Sequence, residues 1–261
     1  MESIAERIPL FIPPTGTDDP VGDSILCRAV THRGLVRLHN EDAFCVLSRE
    51  KRNLFAVSDG LGGHRGGSIA SDMAVKTIES EFTKWHGKGA DRFVVKAIQR
   101  ANQEVFSTAQ SHPELISMQT TATVVAIEKN SLAIGHVGDC RLYRVRNGRV
   151  AILTHDHSQA AELLRLHLIS PEDASQHPGR HQLTRSVGSS PFLRVDLVKD
   201  KVNPGDSFIL CSDGLWSELS DDVIKEALLE NNIGKSLEQL VGMVLTAGAP
   251  DNITAIVFRI R

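Results

Sequence analysis

Residues 121–154 read TATVVAIEKNSLAIGHVGDCRLYRVRNGRVAILT, and this stretch decides the fold class. It contains four short runs rich in Val, Ile, Leu and Ala, each of a length typical of a β-strand. Asn147 and Gly148 separate the last two runs, and this pair is typical of the tight turn of a β-hairpin. The stretch therefore predicts successive antiparallel strands.

The segments on either side add more strands and two pairs of helices. Apolar residues at helical spacing predict one helix through Ala70, Ala74, Ile78 and Phe82 and another through Val94, Ile98, Ala101 and Val105. Further strands are predicted at 25–31, 43–48, 54–58, 195–199, 206–211 and 253–260, and further helices at 221–230 and 237–246, with Ser236 and Gln239 as a capping box for the last. Strands and helix pairs are segregated, which favours an α+β layered sandwich over a doubly wound parallel sheet.

Composition restricts the class of protein. The 261 residues carry a formal charge of −3, with 29 basic and 32 acidic residues spread along the chain, which disfavours nucleic-acid binding. Residues 1–14 resemble neither a secretory signal nor a membrane span, so the cytoplasm is the expected compartment. Residues 1–22, interrupted by prolines and glycines, predict an irregular N-terminal extension before a folded domain over 23–261.

The four cysteines are widely separated and form no CxxC pair, which gives a zinc site little support. An even number permits disulfides, but buried reduced thiols are favoured for a chain without an export signal.

Three aspartates stand where apolar runs end or begin. Asp59 and Asp213 each follow an apolar run and a serine and precede a glycine, while Asp251 lies just before the last predicted strand. Mg²⁺ and Mn²⁺ prefer carboxylate, carbonyl and water oxygens. Any one of these aspartates alone is better explained as a turn or cap residue. The repeated Ser-Asp-Gly motif together with Asp-Asn-Ile-Thr favours a site for two such ions.

Two further residues suggest phosphoryl chemistry. The loop DGLGGH lacks the Lys-Ser/Thr ending of a P-loop, so a nucleotide site is weakly supported, but His64 at its end could protonate a leaving oxygen. A structural histidine is the alternative. Arg37 could hold phosphate oxygens with its planar guanidinium, or else form a surface ion pair with Glu41. His155 and His157 form a weaker rival metal site.

Read together, these segments resemble the metal-dependent Ser/Thr protein phosphatases of the 2C type, known as the PPM family, and the bacterial members in particular. The resemblance extends from Ser24 to Arg261 and rests on segments that occur in the family's order: RLHNEDAF, DGLGGH, TTAT, HVGDCRLYR, LTHDHS, HPGRHQLTRSVG, LCSDGLW and DNIT. It implies a four-layer αββα sandwich, with two central antiparallel sheets flanked by helix pairs and the metals at one edge.

The resemblance also implies roles for individual residues. Asp59 would bridge two metal ions, the Gly60 carbonyl would bind one of them, Asp213 and Asp251 would bind the other, and Asp139 with Asp213 would form a third, weaker metal site. Glu41 and Asp42 would hold metal-bound waters, Arg37 would bind the substrate phosphate, and His64 would be the general acid. Residues 159–179 would form the family's flap.

Two residues depart from the family pattern. Gln119 replaces a glycine before the threonine pair, and His181 replaces the asparagine that usually follows HPxR. We expect neither to touch a metal ligand, so only local packing and the flap would be affected.

The function implied by the resemblance is Mg²⁺- or Mn²⁺-dependent hydrolysis of phosphoserine and phosphothreonine by direct attack of a metal-bridging hydroxide. Phosphoproteins would be the substrates and a Ser/Thr kinase the opposing enzyme, with the chain acting as a monomer and without nucleic acid or membrane as partner. Two alternatives remain at this point: a two-metal phosphodiesterase or nucleotide hydrolase, and a pseudoenzyme that binds phosphoproteins without turnover.

Overall fold

The computed structural model describes residues 19–20, 24–62, 66–87 and 89–261. Within this part of the chain, two six-stranded antiparallel sheets lie at the centre of the molecule. The first sheet has the order β1-β2-β12-β11-β8-β9, and the second has the order β10-β7-β6-β4-β3, with β5 paired to β4. The strands are β1 (Asp19–Pro20), β2 (Ile25–His32), β3 (Asp42–Arg49), β4 (Arg52–Leu61), β5 (Gln119–Thr120), β6 (Ala122–Glu128), β7 (Ser131–Val137), β8 (Arg141–Arg146), β9 (Arg149–Ile152), β10 (Asp196–Lys201), β11 (Ser207–Cys211) and β12 (Ile253–Ile260).

Helices cover the outer faces of both sheets. The second sheet is covered by α1 and α2, and the first by α6 and α7. The helices are α1 (Gly66–Lys84), α2 (Ala90–Ser111), α3 (Gln159–Arg165), α4 (Pro171–Gln176), α5 (Asp213–Trp216), α6 (Asp221–Leu229) and α7 (Ile233–Thr246). The predicted α+β fold, a four-layer αββα sandwich, is confirmed.

Three apolar layers hold the four structural layers together. One lies between α1–α2 and the second sheet, one between the two sheets, and one between the first sheet and α6–α7. In the middle layer, the ring of Phe258 stacks on Phe55 from the opposite sheet, with centroids 4.1 Å apart, and on Phe208 at 4.8 Å. The strand pattern explains this layer, because alternate side chains of each strand point to the same face.

The hairpin predicted from Asn147 and Gly148 is present. Both residues have positive φ, 50° and 70°, and Arg146 pairs directly with Arg149. Positive φ at both central residues is the requirement of a type I′ turn, which Asn-Gly satisfies with little strain.

The predicted capping box of the last helix is wrong. Helix α7 begins at Ile233, and its N-cap is Asn232, whose side chain accepts a hydrogen bond from the Lys235 N–H at 2.9 Å. Ser236 lies inside the helix, fully buried, and donates to the Ala227 carbonyl of α6 at 2.6 Å. Asparagine is as good an N-cap as serine, and the earlier start buries one more apolar residue, Ile233.

Of the predicted N-terminal extension, the described part is Asp19–Pro20, which pairs with β2. Residues 1–18 and 21–23 lie outside the described residues. All four cysteines are buried free thiols, as predicted: Cys27, Cys45, Cys140 and Cys211. A search of the described helices finds none with the length and hydropathy of a membrane span.

We expect Phe258→Ala to lower the free energy of unfolding by about 3–5 kcal/mol, because it removes a ring that contacts both sheets. Urea unfolding followed by circular dichroism measures this loss. Phe192→Ala is the matched control: Phe192 is 91% exposed, so its loss should change stability by no more than about 0.5 kcal/mol. Equal effects of the two substitutions would contradict the assignment of the Phe55–Phe258–Phe208 stack to the core.

Candidate active site

The backbone of Asp59 is fixed at the end of β4 by the two threonines of the TTAT motif. The Asp59 N–H donates to the hydroxyl of Thr121 at 2.8 Å, and the Asp59 carbonyl accepts from the Thr120 hydroxyl and from the Thr121 N–H, both at 2.8 Å. Both threonine side chains are fully buried. The carboxylate at this position therefore has little freedom to move.

Gly60 continues the same rigid turn. A Cβ at this position would lie 2.2 Å from the Gly67 carbonyl oxygen and 2.5 Å from that of Glu41, so no side chain fits. The Gly60 N–H donates to the Glu41 carbonyl at 3.1 Å. Glycine is thus required here by the close approach of two other backbone segments.

Asp213 and Asp251 come from two neighbouring strands of the other sheet. Strands β11 and β12 pair directly; Asp213 follows β11 and Asp251 precedes β12. A Cβ on Gly214 would lie 2.0 Å from the Asn252 carbonyl oxygen, which explains the glycine after the aspartate. The Ser-Asp-Gly motifs in the two sheets bring their aspartates to the same edge of the sandwich.

Asn252 is a residue whose role the sequence reasoning missed. Its side-chain amide donates to the carbonyls of Arg33 and His39 at 2.8 and 2.9 Å, and its Oδ1 accepts from the Glu41 N–H at 2.8 Å. Asn252 therefore ties the loop that carries Arg37 and Glu41 to the start of β12. The signal was its place directly after Asp251 in the DNIT motif.

Arg37 forms an ion pair with Asp251 and not with Glu41, the partner that the sequence suggested. Its guanidinium lies 2.6 Å from Oδ2 of Asp251, and about half of its side chain is exposed (51%). The guanidinium is therefore held beside a predicted metal ligand and remains open to solvent.

These residues surround one cleft of about 440 Å³. Its lining brings together most of the predicted site residues: Arg37, Glu41, Asp59, Gly60, Asp213 and Asp251. Arg180 and His181, which directly follow the predicted flap, line it as well. His64 lies outside the described residues.

Burial and neighbouring carboxylates raise the pKa values of three aspartates at this edge, Asp42, Asp59 and Asp139. Burial is the largest cause of the raised pKa of Asp59, followed by the nearby charges of Asp42, Asp213, Asp139 and Asp251. Burial, and secondarily Asp213, raises the pKa of Asp139, and burial raises the pKa of Asp42 to about 7. A cluster in which each negative charge makes the next one costlier is stabilised by bound cations.

The site suits hard divalent cations. Ser212 donates to Oδ2 of Asp42 at 2.8 Å, whereas Oδ1 of Asp42 is buried with no hydrogen-bond partner among the described residues. A buried carboxylate oxygen without a partner is costly unless water or an ion satisfies it. Apart from His181, the donors are carboxylate and carbonyl oxygens, the set that Mg²⁺ and Mn²⁺ prefer.

One group of three residues stands out within the described part of the chain: ligand atoms of Asp139, His181 and Asp213 all lie within 4.8 Å of one another. Nδ1 of His181 lies 3.1 Å from Oδ2 of Asp213. The expectation that His181 touches no predicted metal ligand is therefore wrong. The sequence identified His181 as unusual, but it did not predict that folding brings His181 into contact with Asp213.

Within the described part of the chain, the side chain of Gln119, the other unusual residue, forms no hydrogen bond with a predicted metal ligand. Its side-chain oxygen accepts from the Ser186 hydroxyl at 2.6 Å. Gln119 therefore contributes to the packing of its immediate surroundings.

The rival histidine pair is occupied by structural hydrogen bonds. Nδ1 of buried His157 accepts from the Gly138 N–H at 3.0 Å, and its Nε2 lies 3.2 Å from Asp196, which also pairs with Arg185. His155 contributes its backbone carbonyl to the ring of His136. Neither histidine belongs to a three-residue metal cluster among the described residues.

The predicted flap, residues 159–179, contains α3 and α4. Its base is closed by backbone hydrogen bonds, from the Gln159 N–H to the Gln182 carbonyl at 2.9 Å and from the Ala160 N–H to the Gly179 carbonyl at 3.4 Å. The chain that leaves this base carries Arg180 and His181 into the cleft. The flap residues are thereby connected to the candidate site.

Comparison with known proteins agrees with this geometry. The model of the family described as protein phosphatase 2C matches residues 31–249. The chain belongs to the protein phosphatase 2C family. The predicted enzyme class, a metal-dependent protein Ser/Thr phosphatase, is confirmed with it.

Individual relatives cover most of the chain. The serine/threonine phosphatase stp of Listeria innocua is 33% identical over 87% of this chain and 92% of its own length. The serine/threonine protein phosphatase PstP of Mycobacterium tuberculosis is 32% identical over 88% of this chain, which spans 44% of PstP. The crystal structure of the PstP catalytic domain in complex with two manganese ions superposes with a TM-score of 0.82 at 30% identity, over 91% of this chain and 98% of that one.

We expect Mn²⁺ to raise the melting temperature of this 2C phosphatase. At 100 times the dissociation constant, binding to the folded state alone contributes about 2.7 kcal/mol, or roughly 5–10 °C for a chain of this size. The rise should be larger at pH 8 than at pH 6, since protons compete with Mn²⁺ for carboxylates whose pKa values are raised.

Differential scanning fluorimetry with Mn²⁺ or EDTA measures this shift. Asp59→Asn should remove most of it, whereas Asp72→Asn, on the surface of α1 and paired with Lys76, should leave it unchanged. A shift that survives Asp59→Asn in full would contradict the assignment of the ions to this cleft.

Proposed function

We propose that the chain hydrolyses phosphoserine and phosphothreonine on proteins with two Mn²⁺ or Mg²⁺ ions held in the cleft at the edge of the sandwich. The observation that carries this proposal is the cluster of carboxylates around one cleft, where burial and the neighbouring aspartates raise the pKa of Asp59, with the Arg37 guanidinium at its rim. Two such ions, when bound, supply an activated water for in-line attack on phosphorus and offset the charge on the phosphoryl oxygens.

Asp59, Gly60, Asp213 and Asp251 would hold these ions. We propose that Asp59 bridges them for two reasons. Its backbone is fixed by Thr120 and Thr121, and the charges of the other site aspartates all raise the pKa of its carboxyl group. The Gly60 carbonyl would bind one ion. Asp213 and Asp251 would bind the other from the opposite sheet. Ligands for two ions would have to come from several backbone segments, and a cleft built by two sheets provides them.

Glu41 and Asp42 would hold metal-bound waters and would not bind the ions directly. Ser212 donates a hydrogen bond to Oδ2 of Asp42. The buried Oδ1, which has no hydrogen-bond partner among the described residues, would accept a hydrogen bond from a water bound to an ion. A partner of this kind orients the water and typically matters by about 10–100-fold.

Arg37 would hold the substrate phosphate. Its guanidinium pairs with Asp251 at 2.6 Å. An ion bound to Asp251 would compensate that carboxylate, so the guanidinium would turn to the phosphate oxygens with its fork of N–H donors. Its half-exposed position leaves room for this change. His64 as the general acid stays a prediction.

Other parts of the prediction concern the cell rather than the site. Opposition to a Ser/Thr kinase, phosphoproteins as the substrates, a cytoplasmic location and a monomeric state stay predictions. Residues 159–179 are proposed to act as a flap that tunes substrate access, since the chain leaving them enters the cleft.

A substrate panel with a ligand variant tests the proposal. With Mn²⁺, the chain should release phosphate from a phosphothreonine peptide and from p-nitrophenyl phosphate, and EDTA should abolish the activity. Asp213→Asn should lower kcat/KM for the peptide by more than about 100-fold, the upper end of the loss seen for outer-shell partners. Asp222→Asn, an exposed residue in the first turn of α6, is the matched control and should leave activity unchanged.

The same panel separates the alternatives. Turnover of cyclic or linear nucleotides that exceeds turnover of the phosphopeptide would identify a phosphodiesterase or nucleotide hydrolase. Binding of the peptide without any release of phosphate in Mn²⁺ would identify a pseudoenzyme. Turnover that persists in EDTA would contradict the metal requirement itself.

A further inference from the structure

The segment that leaves the predicted flap places a histidine against a predicted metal ligand. Nδ1 of His181 lies 3.1 Å from Oδ2 of Asp213, and a carboxylate oxygen of Asp139 completes a group within 4.8 Å. An octahedral ion with bonds of about 2.1 Å holds neighbouring ligand atoms about 3.0 Å apart and opposite ones about 4.2 Å apart. The 3.1 Å pair has the spacing of neighbouring ligands, and the 4.8 Å limit of the whole group exceeds the spacing of opposite ligands by about 0.6 Å, so a small movement of the side chains would let one ion contact all three.

The histidine ring packs beside a tryptophan that is itself fixed by a hydrogen bond. Its ring lies beside that of Trp216, with centroids 6.3 Å apart and 27° between the planes. The indole N–H of Trp216 donates to the Asp139 carbonyl at 3.0 Å, so the same side chain contacts His181 and fixes the backbone of Asp139. The Arg141 guanidinium lies 3.5 Å from the centroid of the Trp216 ring. Trp216 therefore ties His181 and Asp139 to one rigid support.

The charge of the group favours a cation. Asp139 is 4% exposed, and its neighbours in the group are a second carboxylate and an imidazole whose nitrogen can bind a metal when unprotonated. Nε2 of His181 accepts a hydrogen bond from Arg180 at 2.7 Å, which leaves Nδ1 facing Asp213 as the nitrogen placed to bind an ion.

We propose that His181 is a direct nitrogen ligand of a third metal site formed with Asp139 and Asp213. This inference rests on the proposed function, because Asp213 would be shared with the catalytic ions. An imidazole nitrogen favours Mn²⁺ over Mg²⁺, which prefers oxygen ligands. The third site of this chain would therefore select Mn²⁺, and its occupation would be connected to the end of the flap.

Electron spin echo spectroscopy of bound Mn²⁺ tests the proposal without using activity, because a directly bound nitrogen modulates the Mn²⁺ echo. The full chain is brought to equilibrium by dialysis against a series of Mn²⁺ concentrations, and bound Mn²⁺ is counted. We expect three ions at saturation and a nitrogen modulation that grows with the third.

His181→Asn restores the asparagine usual in the family and changes an exposed side chain, so it should fold normally, which circular dichroism checks. It should remove the nitrogen modulation and weaken Mn²⁺ binding at the third site by at least about tenfold, with a smaller effect on Mg²⁺. Asp139→Asn should remove the third ion while two remain. His112→Asn, an exposed histidine after α2, is the matched control and should change neither quantity.

A third Mn²⁺ that binds without nitrogen modulation, a modulation that persists in His181→Asn, or saturation at two ions would overturn the proposal. Each of these outcomes leaves two bound ions and the proposed phosphatase activity intact. Failure to bind any Mn²⁺ would overturn both this inference and the proposed function.

Discussion

The structure depends on one electrostatic constraint: several carboxylates are held together at one edge of a sandwich that buries them. Asp42, Asp59 and Asp139 all have raised pKa values, and burial is the first cause in each case. The folded state binds their protons more tightly than the unfolded state does, so these groups lower the free energy of unfolding progressively as the pH rises above the ordinary pKa of aspartate. In the proposed function, metal ions would offset this repulsion, and the fold must supply the stability to hold the carboxylates together.

Rigid strand ends supply that stability. The backbone of Asp59 is held by two buried threonines, the loop of Arg37 by the amide of Asn252, and the side chain of Asp42 by Ser212. Two glycines, Gly60 and Gly214, allow the backbones to approach where any side chain would collide. The three apolar layers behind these contacts fix the position of one sheet relative to the other. The proposed ligands from the two sheets therefore face one cleft.

The sequence predicted the parts of this design that have a local signal. Strand and helix periodicity located the four layers, Asn147-Gly148 located a hairpin, and the repeated Ser-Asp-Gly motif with DNIT located residues that the cleft brings together. Where two local signals competed, the choice failed: Ser236 and Asn232 are both good caps, and only packing of Ile233 against α6 and the first sheet decides between them. His181 stood out only as a departure from the family pattern, and no local signal indicated its contact with Asp213. Its contact with Asp213 joins residues 32 positions apart, and it depends on how the chain leaves the base of the flap.

Anomalous diffraction at the manganese absorption edge, from crystals soaked in Mn²⁺, tests the central claim most directly. If Asp59 bridges two ions, we expect two strong peaks in the cleft, about 3.5–4 Å apart, with the Asp59 carboxylate between them. A cleft without anomalous peaks, or a single peak that Asp59 does not touch, would contradict it.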